Sequence, residues 1–193
     1  MADLRDIFNK NQYDLGQAAK RSKTWFQQQS RLLARQQITP NKVMKSDPSQ
    51  NVSRVIPGNL YMFLYDPKHK DTLPYYDMFP LVFPFKAESD GFTGINLHYL
   101  PYQMRIMLLQ RLLDFANNKK MNETTRLKYS WQMIDGVSRY KLAMPCVKRY
   151  LASHVKTNLR LIPANDWGTA MLLPVEQFVG ASKQKVWQNS LRG

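Results

Sequence analysis

The sequence predicts an α+β fold: a small antiparallel sheet, of the kind that curls into an SH3-like half-barrel, packed with about three helices and preceded by an extended or helical N-terminal arm. Three observations predict it. Residues 58–100 fall into short apolar runs punctuated by Pro, Gly and Asp, the pattern of strands joined by tight turns. After Pro101 the apolar residues recur at helical spacing, one face every 3.6 residues. Residues 1–57 have thin apolar content, with ten basic residues against four Asp, a net of +6.

The chain divides accordingly into a basic arm and linker (1–57), a globular α+β domain (58–180) and a basic C-terminal tail (181–193). In the arm, the stretch from Gln17 to Gln37 is rich in helix formers and contains neither Gly nor Pro. Trp25 and Phe26 precede Leu32 and Leu33 by seven residues, which sets them along one stripe of a helix flanked by Arg31 and Arg35. So narrow a stripe cannot bury enough surface to stand alone. It needs a partner or the body of the fold; alternatively, the Gln-rich run is disordered. Pro40, Pro48 and the polar SDPSQNVS mark Ile38 to Pro57 as a linker.

NLYMFLYD, after the Pro57–Gly58 turn, reads as the first strand of the domain and DPKHKDTLP as a polar connection. MFPLVFPF is a second strand. Its Pro80 and Pro84 cannot donate to a ladder and imply an edge strand or bulges. KAESDG is a turn and FTGINLHYL the hairpin mate. Pro101 opens a helix, YQMRIMLLQRLLDFANN, in which Ile106, Leu109 and Leu113 form one apolar line and Leu108, Leu112 and Phe115 its neighbour. A second helix is expected from about Asn122 to Ile134. A third is expected after Pro145, with Val147, Tyr150, Leu151, His154 and Val155 on one face. NLRLIP and GTAMLLP then read as a late hairpin, and the end as a short helical turn running into the basic tail.

Charge bounds the function. There are 28 Lys+Arg against 14 Asp+Glu, a net of +14 in 193 residues. Few carboxylates remain for acid–base work, and the surplus cation calls for polyanion or an acidic protein surface. From Gly91 to Pro163, twelve basic residues face three carboxylates. The candidates for polyanion contact among them are Arg105, Arg111, Lys119, Lys120, Arg126, Lys128, Lys148, Arg149, Lys156 and Arg160, with Tyr129, Trp131, Tyr140 and Tyr150 available for stacking on bases. The competing reading gives these charges to solvated faces and the rings to the core. Neither a nucleic-acid recognition module nor a phosphate, dinucleotide, zinc-protease or nucleophile-elbow motif is present, so sequence-specific reading, catalysis and cofactors are not expected.

Two weaker constellations merit statement. Cys146 and His154 lie eight residues apart, which on a helix separates them by about 12 Å, beyond reach of a catalytic pair. Asp66, Asp71 and Asp77 beside His69 resemble a metal cluster, but Lys68 and Lys70 oppose a dication, and turn capping is the simpler role. With a single cysteine, no intrachain disulfide forms. No apolar run approaches the ~20 residues of a membrane span, and the N-terminus lacks the apolar core of a secretory signal.

Four strings carry a resemblance: DTLPYYDMFPLV, GFTGINLHYLP, PCVKRYLASH and LPVEQFVGAS. With them, residues 58–187 resemble a family of small basic virion-associated proteins of contractile-tailed, T-even-like bacteriophages. Tyr102 departs from the family pattern, where a second proline is expected after HYLP, and residues 1–57 fall outside the likeness as a segment particular to this phage. The resemblance implies no catalytic residues. It implies a structural or assembly protein of the tail, baseplate or neck, assembled in the host cytoplasm and joined to other virion proteins. The arm residues Trp25, Phe26, Arg31, Leu32, Leu33 and Arg35 would serve as its partner-binding element. The alternative is a sequence-independent DNA-binding protein that protects or guides the ends of the packaged genome.

Overall fold

The computed structural model describes residues 39–45, 48–116, 120–139, 141 and 143–192. The arm residues Trp25 to Arg35, together with Lys119 and Tyr140, lie outside the described residues. Among the described residues the architecture is α+β, as the sequence predicts.

The chain opens with α1 (Pro40–Lys45) and β1 (Asn51–Val52), followed by β2 (Leu60–Met62), β3 (Tyr76–Asp77), β4 (Leu81–Glu88) and β5 (Gly91–Asn96). Two long helices follow, α2 (Tyr102–Ala116) and α3 (Glu123–Ser138), then β6 (Val147–Leu151), β7 (Leu159–Ile162), α4 (Trp167–Leu172), β8 (Phe178–Val179) and α5 (Lys183–Arg192). The main sheet has the order β1-β7-β2-β4-β5-β6, every neighbouring pair antiparallel. β3 and β8 form a separate two-stranded ribbon.

Strand alternation builds two cores, because successive side chains point to opposite faces. Leu60, Met62, Leu81, Phe83 and Ile95 face the helices and join Ile106, Leu109 and Leu112 of α2 and Ile134 of α3. Tyr61, Phe63, Val82, Phe92 and Tyr150 face the other way, with Tyr65 and Leu159. There the rings of Phe63, Tyr65 and Tyr150 meet edge to face at centroid distances of 4.9–6.2 Å, the arrangement their quadrupoles favour. Gly58 has a φ of +93°, and a Cβ there would sit 2.5 Å from the Leu127 carbonyl; only glycine fits the turn that lets α3 approach β2.

Several segments differ from the sequence reading. For MFPLVFPF the edge position does not hold and the expected bulge does: β4 lies between β2 and β5, and the register shifts between Pro84 and Lys86. That irregularity absorbs the missing proline donor. The segment after Pro145 is strand β6, not a helix. The helical spacing of Val147, Tyr150 and Leu151 is incidental, since Tyr150 alone in β6 turns fully inward. In the expected late hairpin only Leu159–Ile162 is a strand; Trp167–Leu172 is helical, a choice that a short, uniformly apolar run cannot make by itself. The last segment begins with β8 and ends as α5, seated by Val186 and Ser190, one turn apart and both buried.

Candidate functional site

Two buried polar centres result, and the second is built wholly from the strings that carry the family resemblance. The first surrounds Arg105. Its side chain is fully buried and donates from Nε to the Leu100 carbonyl (2.8 Å), from Nη1 to that of Met171 (3.2 Å) and from Nη2 to that of His98 (3.0 Å). Nη2 lies 3.8 Å from Glu176 Oε1, which also accepts from the Tyr102 hydroxyl at 3.0 Å and has Lys183 Nζ at 3.6 Å. The rings of Tyr102 and Trp187, themselves in contact, lie beside the guanidinium, with centroids at 4.7 and 5.6 Å. Burial acts to raise the Glu176 pKa, but the charges of Arg105, His98 and Lys183 outweigh it and hold the carboxyl below its ordinary value. Tyr102, the departure from the family pattern, is thus part of this centre.

The second centre joins Asp77, Asn96, His98 and Tyr150. Asp77 Oδ2 accepts from Asn96 Nδ2 at 3.0 Å and lies 2.8 Å from His98 Nδ1, while Oδ1 accepts from the Phe79 N–H at 3.1 Å. Asn96 also donates to the Tyr150 hydroxyl at 3.0 Å. These four residues are all buried. The last bond to Phe79, two residues on, is the turn-capping role expected for Asp77.

Above this centre opens a cleft of about 360 Å³ between the connection that runs from Pro67 to Tyr76 and strand β6. Its aromatic lining is Tyr65, Tyr75, Tyr76, Tyr99 and Tyr150; its cations are Lys68, Lys148 and Arg149, with the imidazole of His69 beside them. Tyr99 leans on Tyr75 at 6.1 Å, and Lys148 Nζ lies 4.4 Å from the Tyr99 ring centre. Burial pulls the Lys148 ammonium below its ordinary pKa. Among the described residues no carboxylate pairs with it. Arg149, exposed at the rim, bonds Asp90 at 2.7 Å.

The structure therefore sorts the predicted cations. Arg105 and Arg160 are buried and present nothing to a polyanion; for Arg105 the sequence carried a signal, since Arg105, Leu108, Leu109 and Leu112 share one helical face. Lys148 and Arg149 meet at the cleft, joined by Lys68 and His69, residues that the sequence brings up only in connection with a metal cluster, His69 for it and Lys68 against. Arg111 on α2, Lys128 on α3 and Lys156 after β6 are exposed, as is Lys120, while Arg126 is half-buried. Of the candidate stacking residues, Tyr150 is core, whereas Tyr129 and Trp131 are partly exposed. Trp131 donates to the Phe85 carbonyl at 2.8 Å.

The other constellations separate. Cys146 is buried, which pushes its thiol up to about 12, and His154 Nδ1 bonds the Asp66 carbonyl at 2.7 Å. Asp66 pairs with Lys70 at 2.9 Å. Among the described residues no group of three His, Cys, Asp or Glu is placed to hold a metal ion.

Comparison with known proteins adds one match. No curated protein and no solved structure matches the chain. The sequence profile described as phage T4 terminal DNA protecting protein matches residues 1–190. The match includes residues 1–57, which are therefore not a segment particular to this phage, and it favours the DNA-end alternative over a tail or baseplate subunit. By this near-complete match, the chain belongs to the phage T4 terminal DNA protecting protein family.

Proposed function

We propose that this protein binds the ends of linear phage DNA without reading their sequence and shields them from nucleases by occupancy, not catalysis. The family match over residues 1–190 carries the reading. The charge supports it. A net of +14 suits a polyphosphate partner, and cations such as Arg111, Lys120, Lys128 and Lys156 stay exposed. Phosphate contacts of this kind position a protein on DNA and carry no sequence information. Among the described residues no helix is long and apolar enough to cross a membrane. The place of action is the virion and the host cell in which it is assembled or into which its genome passes.

The test is exonuclease digestion of linear duplex with the purified full chain, alongside direct binding across about 50–200 mM salt. Protection of linear DNA, with affinity falling steeply as salt rises, is the expected result. Absence of binding at the low-salt end would overturn the reading.

A further inference from the structure

The geometry points to the cleft between the Pro67–Tyr76 connection and β6 as the seat of a strand terminus: we propose that it receives the terminal nucleotide of a DNA strand, phosphate against Lys148 and base against the tyrosine rings. The inference rests on the DNA-end reading above and assigns that function a site.

Three observations converge on it. First, Lys148 is a half-buried ammonium whose Nζ lies 4.4 Å from the Tyr99 ring centre and which has no carboxylate ion-pair partner among the described residues. A cation taken from water without an anion is costly to the fold, and an incoming phosphate would supply the missing charge. Second, the further cations lie on both sides of it. Lys68 comes from the facing connection, with the His69 imidazole next to it as a hydrogen-bonding group, both exposed, and Arg149 stands at the rim. The Arg149–Asp90 pair is open to solvent on both partners, so it yields easily to a stronger anion. The carboxylate that lines the cleft, Asp77, is already engaged by three partners, Phe79 N–H, Asn96 and His98. Third, the lining is rich in aromatic rings, five tyrosines beside Pro67, Leu73 and Leu151. Tyr75 and Tyr76 are half-buried, with the Tyr99 ring beneath Tyr75, and tyrosine faces accept any base with little preference.

Size makes the site end-selective. A cavity of about 360 Å³ falls at the small-ligand end of binding sites, ~300–1,000 Å³. It admits one nucleotide and excludes a duplex, whose major groove alone is ~12 Å wide. Only an unpaired or frayed residue enters. Internal nucleotides of a duplex must first be unstacked and unpaired to reach such a pocket, and terminal ones least of all. Selection of ends without selection of sequence follows from that difference.

The experiment compares binding of the full chain to linear DNA bearing a short phosphorylated overhang and to the same sequence as a closed circle. Wild type, Lys148→Met and Tyr75→Ala are measured, with urea unfolding of each. The expected result is a preference of wild type for the linear form. Each substitution should cut affinity for the linear form about tenfold, within the range of one stacked base, and leave the circle unchanged. Lys148→Met should unfold no earlier than wild type, which separates lost binding from lost folding. If wild type prefers ends and both variants keep that preference in full, the cleft is not the seat and the DNA-end function stands. If wild type binds circle and linear DNA alike, the DNA-end function itself falls. A deoxynucleoside monophosphate that binds as tightly as the strand end would make the cleft a small-molecule site and overturn the assignment to DNA.

Discussion

Arg105 and Lys148 are both cations withdrawn from water, and they differ in what surrounds them. Arg105 gives hydrogen bonds to three backbone carbonyls, lies beside Glu176 and packs against two aromatic rings. Lys148 has a tyrosine face and a cleft open to solvent. The first is complete without a ligand and ties α2 to the connection before it and to α4; the second leaves its charge uncompensated. Buried charge therefore marks two opposite things in one molecule. Where each nitrogen has an acceptor and a carboxylate stands beside it, it holds the fold together; where the charge has no counter-ion, it offers a place for an anion.

Substitution at Arg105 is the strongest way to break that contrast. Arg105→Met strands Glu176 without its main counter-charge, and removing one partner of a buried pair costs about 3–5 kcal/mol. Urea unfolding should show a loss of that size, with part recovered in Arg105→Met/Glu176→Gln. A loss below about 1 kcal/mol would place Arg105 in the same class as a surface pair. The same centre sets an acid response. Because the folded pKa of Glu176 is depressed, its contribution is fully present above the ordinary glutamate value, ~4.3. It fades as pH falls through the lower folded value. Unfolding midpoints of wild type should therefore drop on acidification more than those of Glu176→Gln.

Asn96 tests the layer beneath the cleft. Asn96→Ala removes donors from both Asp77 and Tyr150, and leaving buried acceptors unsatisfied costs about 1–3 kcal/mol. The check is the unfolding midpoint; a neutral result would mean that this polar centre contributes little to holding the cleft floor. Lys148→Met sharpens the comparison from the other side, since it removes a charge that burial disfavours and should leave stability equal or slightly higher. A stability loss comparable to that at Arg105 would erase the distinction drawn between them. The smallest effect is expected at Arg149→Ala, where a solvent-exposed pair with Asp90 is lost and unfolding should shift by less than about 1 kcal/mol.

Part of this was legible in the chain. The unbroken apolar runs Leu60, Tyr61, Met62 and Leu81, Val82, Phe83 suit a sheet buried on both faces, and the apolar lines of α2 encode a core helix. The Asn122 cap, whose Oδ1 accepts from the Thr125 N–H at 2.8 Å, marks the start of α3. What misled was local ambiguity. GTAMLLP is apolar on every side and carries no period, and β6 shows one inward ring amid half-buried neighbours. The C-terminal helix hides because, among its described side chains, only Val186 and Ser190 are buried in a polar sequence. Arg105 was readable as a core-facing cation from its helical position, whereas Lys148 was not, since nothing adjacent in sequence reveals its burial.

The sequence by itself determined the α+β class, the +14 surplus and the strings that pointed to a phage family, because composition, periodicity and motif are properties of neighbouring residues. Only the tertiary structure decided which cations stay available. β2 pairs with β7 across about a hundred residues, Leu60 opposite Ile162, and the cleft sets Lys68 and His69 facing Lys148 and Arg149 across a similar span. Burial and charge pairing are settled by such distant partners. A chain read residue by residue therefore shows how much positive charge there is, and the folded molecule shows where that charge remains unspent.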